Sequence, residues 1–149
     1  WAFACSECVA AEKLDPLLQR AITAMATFDE LGLAQLYQFV LFVQTEHPRL
    51  FSQHCDANLV KVLRDVYVAS ESRPSSLQYD ISKVLRQTGW AHEFEYVTED
   101  GLSLDMAQPS SKSAIEVDGP THYLRNPTTG SRVENGSTRL KARLLEARG

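Results

Sequence analysis

Three carboxylates and a histidine in the last third of this 149-residue chain have types and spacing that could do chemistry. Side chains alternate across a strand, so in a strand over 102–107 Asp105 projects away from Leu104 and Met106. In a strand over 113–118, Glu116 and Asp118 share one face while Ile115 and Val117 take the other. If the apolar faces point to one core, Asp105, Glu116 and Asp118 converge on the other side of the sheet. Oxygen ligands so placed can hold Mg²⁺, and the metal can activate water for phosphodiester cleavage. Acids at strand ends also cap turns or simply face solvent, and spacing alone favours that plainer reading. Asp118-Gly119-Pro120 forces a sharp exit from the strand, Gly119 supplying permissive dihedrals and Pro120 fixing its own φ. The turn would return His122 beside the acids, where it could serve as acid or base.

A second set of residues is basic. From Thr121 to Gly149 there are six Lys or Arg (Arg125, Arg132, Arg139, Lys141, Arg143 and Arg148) against two acids, Glu134 and Glu146. On a final helix Arg139 and Arg143 share a face, Lys141 is turned away, and Leu140, Leu144 and Leu145 point inward. A basic loop and helix beside an acidic strand edge suits a phosphate backbone, and a solvated amphipathic helix would look the same. Cys5 and Cys8 have Cys-x-x-Cys spacing without a second pair to complete a zinc site. His47, His54 and Cys55 fit no common ligand pattern and are assigned to a loop.

These residues need elements to hold them. The first half reads as helices: one opened by Asp15-Pro16, one from a Thr27/Glu30 capping box, and one over 57–69. In the second, Leu33, Leu36, Tyr37, Val40 and Val43 form a stripe that Phe39 and Phe42 widen until the second half of the helix is apolar nearly all round, so it should be buried on more than one side. Pro48 lies just past its end. Short helices with brief connections suggest the stacked hairpins of an α-solenoid over 1–70. Residues 71–76 read as a linker. After it come a helix with a Ser75/Gln78 capping box, inward Leu77, Ile81, Val84 and Leu85, and a Gly89 stop. Next follow a hairpin of strands 92–97 and 102–107 around Asp100-Gly101, a strand over 113–118, and a helix from Ser137 to Arg148 capped by Ser137. The fold class is α/β (α+β), a small mixed sheet packed on helices. On this reading Ile115 and Val117 are buried against Leu140, Leu144 and Leu145, and Asp105→Asn or Glu116→Gln costs little stability.

Composition bounds the function. Apolar residues are 44% and charged residues 23%, ordinary for a globular protein, which excludes a wholly disordered or collagen-like chain. A net charge of −4 gives no histone-like basic signature. No apolar run approaches the roughly 18 residues of a membrane span. Three cysteines make neither a disulfide framework nor a four-ligand zinc set, so a reducing compartment is the simpler expectation. The chain begins on Trp1 and ends just past an amphipathic helix, which suggests an ordered fragment of a longer protein.

The stretch Ile115-Glu116-Val117-Asp118-Gly119-Pro120-Thr121-His122-Tyr123, then a variable loop, then Asn135-Gly136-Ser137-Thr138 and Leu140-Lys141-Ala142-Arg143-Leu144-Leu145, resembles the RAP domain. That is an RNA-binding domain abundant in apicomplexans and found in algal, plant and animal organellar proteins. Residues 76–95 resemble its lead-in helix and first strand, and Trp1-Ala2-Phe3-Ala4 with the helices after it resembles the repeats that precede it in algal and protist proteins. The resemblance implies a RAP-like domain over 77–149, truncated at its C-terminal end, with a restriction-endonuclease-like fold. It implies RNA as partner and a role in RNA processing, stability or translation in a chloroplast or mitochondrion. In the nuclease superfamily an Asp is followed by Glu-x-Lys; Asp105 and Glu116 match, and Asp118 stands where Lys is expected. Relatives of the very-short-patch-repair type also depart from the Lys and use nearby histidines, as His122 would be. Three readings therefore compete. The first is an RNA-binding module that needs no cofactor. The second is a Mg-dependent endoribonuclease built on Asp105, Glu116, Asp118 and His122. The third is an accessory subunit of a large organellar assembly such as a ribosome, with a vestigial site.

Overall fold

Four helix starts in this chain are set by a side chain that accepts from an unpaired backbone N–H of the first turn. The computed structural model describes residues 4–5, 11–70 and 74–148; Trp1–Phe3, Cys8 and the first half of the expected linker lie outside them. Among the described residues run six α-helices and two small antiparallel sheets, a mixed α/β fold.

Helix α1 (Ala11–Thr23) holds Asp15 and Pro16 in its interior. The expected start at Asp15-Pro16 is therefore corrected: Asp15 Oδ1 lies 2.9 Å from His54 Nε2 instead of capping. Thr27 is likewise not a cap, because its hydroxyl donates back to the Ala24 carbonyl at 2.7 Å and closes a short 3-10 turn. Asp29 caps α2 (Glu30–Glu46), accepting from the Gly32 N–H at 2.8 Å. A carboxylate there also meets the positive end of the helix dipole. Leu36, Tyr37, Phe39, Val40, Leu41, Phe42 and Val43 of α2 are all buried. Pro48, expected only to follow α2, opens a further helix, α3 (Pro48–His54), in a stretch that the spacing of its residues assigns to a loop. Proline loses nothing at a first turn, since the N–H it lacks would have had no intrahelical partner. Asp56 caps α4 (Ala57–Ala69), whose bounds are those expected, and Leu63 and Tyr67 are its buried residues.

The described parts of 1–70 and 124–149 form one compact unit, and those of 71–123 form another. This redraws the expected division, because the end of the chain folds with the helical segment. Strands β4 (Tyr123–Arg125) and β5 (Arg132–Glu134) pair as a hairpin where a variable loop was expected. Its turn is built by Asn126, whose side-chain oxygen accepts from the Thr128 and Thr129 N–H groups, and by Gly130 at φ +71°. Helix α6 (Gly136–Glu146) follows and packs on α2. Its cap is Asn135, not Ser137: Asn135 Oδ1 accepts from the Thr138 N–H at 2.9 Å and from the Ser137 hydroxyl at 2.8 Å. Leu140 and Leu144 are buried in this unit, whereas Ile115 and Val117, also expected to be buried, are only half-buried in the second.

In the second unit α5 (Ser76–Gln87) opens with the full Ser75/Gln78 capping box, so Ser76 belongs to the helix rather than to a linker. It closes at Gly89 (φ +86°) with the Trp90 N–H on the Leu85 carbonyl and the Gly89 N–H on that of Arg86. Strands β1 (Glu93–Val97), β2 (Ser103–Gln108) and β3 (Ser113–Ile115) lie in that order. Phe94 faces Met106, Tyr96 faces Leu104, and Met106 faces Ile115. Both pairings are antiparallel, which corrects the expected mixed sheet. Turns as short as these cannot make the crossover that parallel strands need.

A Cβ on Gly136 would stand 2.7 Å from Cys5 Cβ, whereas one on Gly119 meets nothing within 4 Å. Gly136→Ala should therefore destabilise the helical unit by about 1–3 kcal/mol, while Gly119→Ala should change stability by no more than about 1 kcal/mol. Thermal melts of the two variants check this.

Candidate functional site

Asp105 sits mid-strand in β2 between the buried Leu104 and Met106, and its own side chain is half-buried on the opposite face, as the alternation requires. Both carboxylate oxygens are engaged. Oδ1 accepts from Gln78 Nε2 of α5 at 2.6 Å, and Oδ2 accepts from the Val117 backbone N–H at 2.6 Å. The second bond explains why β3 stops at Ile115 rather than running to Asp118: Val117 gives its N–H to a side chain instead of a neighbouring strand. Glu116 and Asp118 then lie on irregular backbone and share no strand face.

Asp118 turns to His122. Its Oδ1 is 2.8 Å from His122 Nδ1 across the 3-10 turn Pro120–His122, which is closed by the His122 N–H on the Gly119 carbonyl. Gly119 holds φ −73°, ψ 175°, an extended conformation open to any residue, so its permissive dihedrals are not used. Among the described residues no three His, Cys, Asp or Glu side chains come together to hold a metal. The expected ligand set Asp105, Glu116 and Asp118 is therefore not assembled. Asp105 acts as a strut between β2, α5 and the chain after β3, and Asp118 fixes the imidazole of His122.

The basic residues also divide. Arg125 and Arg132 stand exposed on the β4–β5 hairpin, Arg139 is exposed on α6, and Lys141 is half-buried there. Arg143 is drawn inward: Nη2 lies 2.7 Å from Glu46 Oε1 of α2 and donates to the Ala4 carbonyl at 3.1 Å. Its guanidinium carbon is 5.8 Å from the centre of the Phe42 ring. A planar fork that reaches a carboxylate, a carbonyl and a ring at once is a fastening for α6, which corrects its place among the RNA contacts. Arg148 similarly donates to the Leu144 carbonyl and to Thr45.

Helix α5 is rotated from the orientation its apolar residues suggest. Leu77 and Val84, expected inward, are exposed, and Ser82 is the buried residue. Three contacts set that rotation: Gln78 on Asp105, Ser82 Oγ 2.7 Å from His92 Nε2, and the Tyr79 ring on Phe94. Sequence reasoning passes over Tyr79, Lys83 and Arg86, which stand at i, i+4 and i+7 and so share a face. That spacing is the available signal.

Because Asp105 accepts two bonds, Asp105→Asn should cost about 1–3 kcal/mol, since an amide presents a donor to a donor at one of them. This reverses the tolerance expected from the strand pattern. Arg143→Ala should cost about 1–3 kcal/mol, and Arg143→Lys should not restore it, because an ammonium cannot reproduce the fork. Urea unfolding of the three variants measures both effects.

No family model matches the chain, and no solved structure matches it. A chloroplastic RAP domain-containing protein of Oryza sativa subsp. japonica is 30% identical to it over 134 residues. The matched segment is 88% of this chain and 20% of the rice protein, so the chain spans about a fifth of the length of that relative. With the motif in 115–145 and this similarity along most of its length, the chain is related to the RAP domain proteins.

Proposed function

We propose that this chain is an RNA-binding part of an organellar protein. The observation that carries the reading is its similarity, over 134 residues, to a chloroplastic RAP domain-containing protein, because the RAP resemblance implies RNA as the partner. Among the described residues no helix is long and apolar enough to cross a membrane. Arg125 and Arg132, exposed on one hairpin, support the reading as phosphate contacts. Processing, stability or translation of organellar transcripts is the role that goes with it, in a chloroplast before a mitochondrion on the strength of the rice relative. The competing cleavage reading needs three carboxylates around one point, a geometry the described residues do not form.

Fluorescence anisotropy with single-stranded RNA across a salt series tests the proposal. Affinity should fall as salt rises, and the double variant Arg125→Gln, Arg132→Gln should make the log–log slope shallower by about 0.7 for each phosphate that is no longer neutralised. Absence of RNA binding at low salt would overturn the reading. Co-purification with an assembly such as a ribosome, with no RNA affinity of its own, would install the accessory-subunit reading in its place.

A further inference from the structure

Beside its exposed apolar residues, α5 carries the stripe of Tyr79, Lys83 and Arg86. The Tyr79 ring lies against Phe94 of β1 with centroids 4.8 Å apart and planes inclined at 34°, yet Tyr79 remains 56% exposed. Phe94 braces part of the ring and leaves the rest to solvent. Ser82, Lys83, Arg86 and Gln87 complete an open groove with the two rings. Lys83 and Arg86 are exposed, and their side chains have no ion-pair or hydrogen-bond partner among the described residues. Asp80, the nearest acid on the helix, does not line the groove. Two unpartnered cations beside a braced, outward-facing aromatic ring carry a specific chemistry. The ring offers a flat face whose ordering cost is already met within the fold, and the two cations, both beyond Tyr79 along the same helix face, favour a ligand with successive negative charges next to a flat apolar group. An apolar peptide would gain nothing from Lys83 and Arg86. Bases inside a duplex are not free to stack on a side chain.

We propose that this groove binds single-stranded RNA, with one base stacked on Tyr79 and the successive phosphates on one side of that base held by Lys83 and Arg86. The proposal rests on the RNA-binding reading above and adds a site to it. Base–aromatic stacking tolerates any base, so the groove contributes affinity for unpaired RNA without choosing its sequence. Its residues lie on α5 and β1, and none belongs to the basic set of the chain's last thirty residues.

The test uses the whole chain and a labelled oligouridylate, with a duplex of equal length as comparison. Tyr79→Ala should weaken single-strand binding roughly 5- to 150-fold and leave duplex binding unchanged, while Tyr79→Phe keeps the stack and the affinity. Lys83→Gln with Arg86→Gln should make the salt slope shallower by about 1.4. Circular dichroism reports whether each variant is folded. If Tyr79→Ala unfolds the chain, the Lys83/Arg86 pair, both exposed residues, decides the matter. Wild-type binding to the oligouridylate that is unaltered in the Lys83/Arg86 variant overturns the groove and leaves the RNA-binding reading standing. Failure of the unaltered chain to bind at low salt overturns both.

Discussion

A helical stretch that is apolar on nearly every side has no face it can show to water, and the second half of α2 is such a stretch. Its buried run from Leu36 to Val43 includes Tyr37, Phe39 and Phe42, and each large side chain removed from water contributes about 1.5–3 kcal/mol. Cover comes from α3, from α4 and from α6. The Tyr37 ring meets Tyr67 of α4 at 5.3 Å, and Phe42 lies under Arg143 of α6. The need for cover on more than one side recruits the last helix to the first half of the chain. It also gives Arg143 its place: the residue closes the α2–α6 contact at Glu46.

The second unit depends on one carboxylate in the same way. Asp105 joins α5 to β2 through Gln78 and ends β3 by taking the Val117 N–H. A charged acceptor with both oxygens bonded makes stronger hydrogen bonds than a neutral one. It thereby fixes the rotation of a helix whose apolar residues would have chosen another. The consequence is the exposed stripe of Tyr79, Lys83 and Arg86 and the separation of Glu116 and Asp118 from a common face.

Several residues of the RAP-like motif turn out to have conformational work. Asn135 caps α6, Gly136 admits the backbone of residue 5 against the start of that helix, Leu140 and Leu144 fill its buried side, and Asp118 holds His122. The motif thus records how the end of the chain is packed at least as much as any chemistry. A sequence pattern of acids read as a ligand set can equally be a set of struts, and bonding geometry separates the two.

Local signals determined much of this protein. The Ser75/Gln78 box, the Gly89 stop, the Asp100-Gly101 hairpin and the bounds of α4 follow from backbone chemistry within a few residues, which any stretch of chain carries with it. The all-round apolar character of the second half of α2 was equally legible, because it is a property of composition and period. The β4–β5 hairpin was not, since strands of three residues with no buried side chain leave no period-two pattern. Only the tertiary structure decided that Asp15 meets His54, that Asp105 bonds Gln78 and Val117, and that α6 belongs with α2. Each of those is a competition between a local partner and a distant one. A carboxylate that can cap, coordinate or brace carries the same letter in all three cases, and what it does is settled by which donor the fold brings within hydrogen-bond reach.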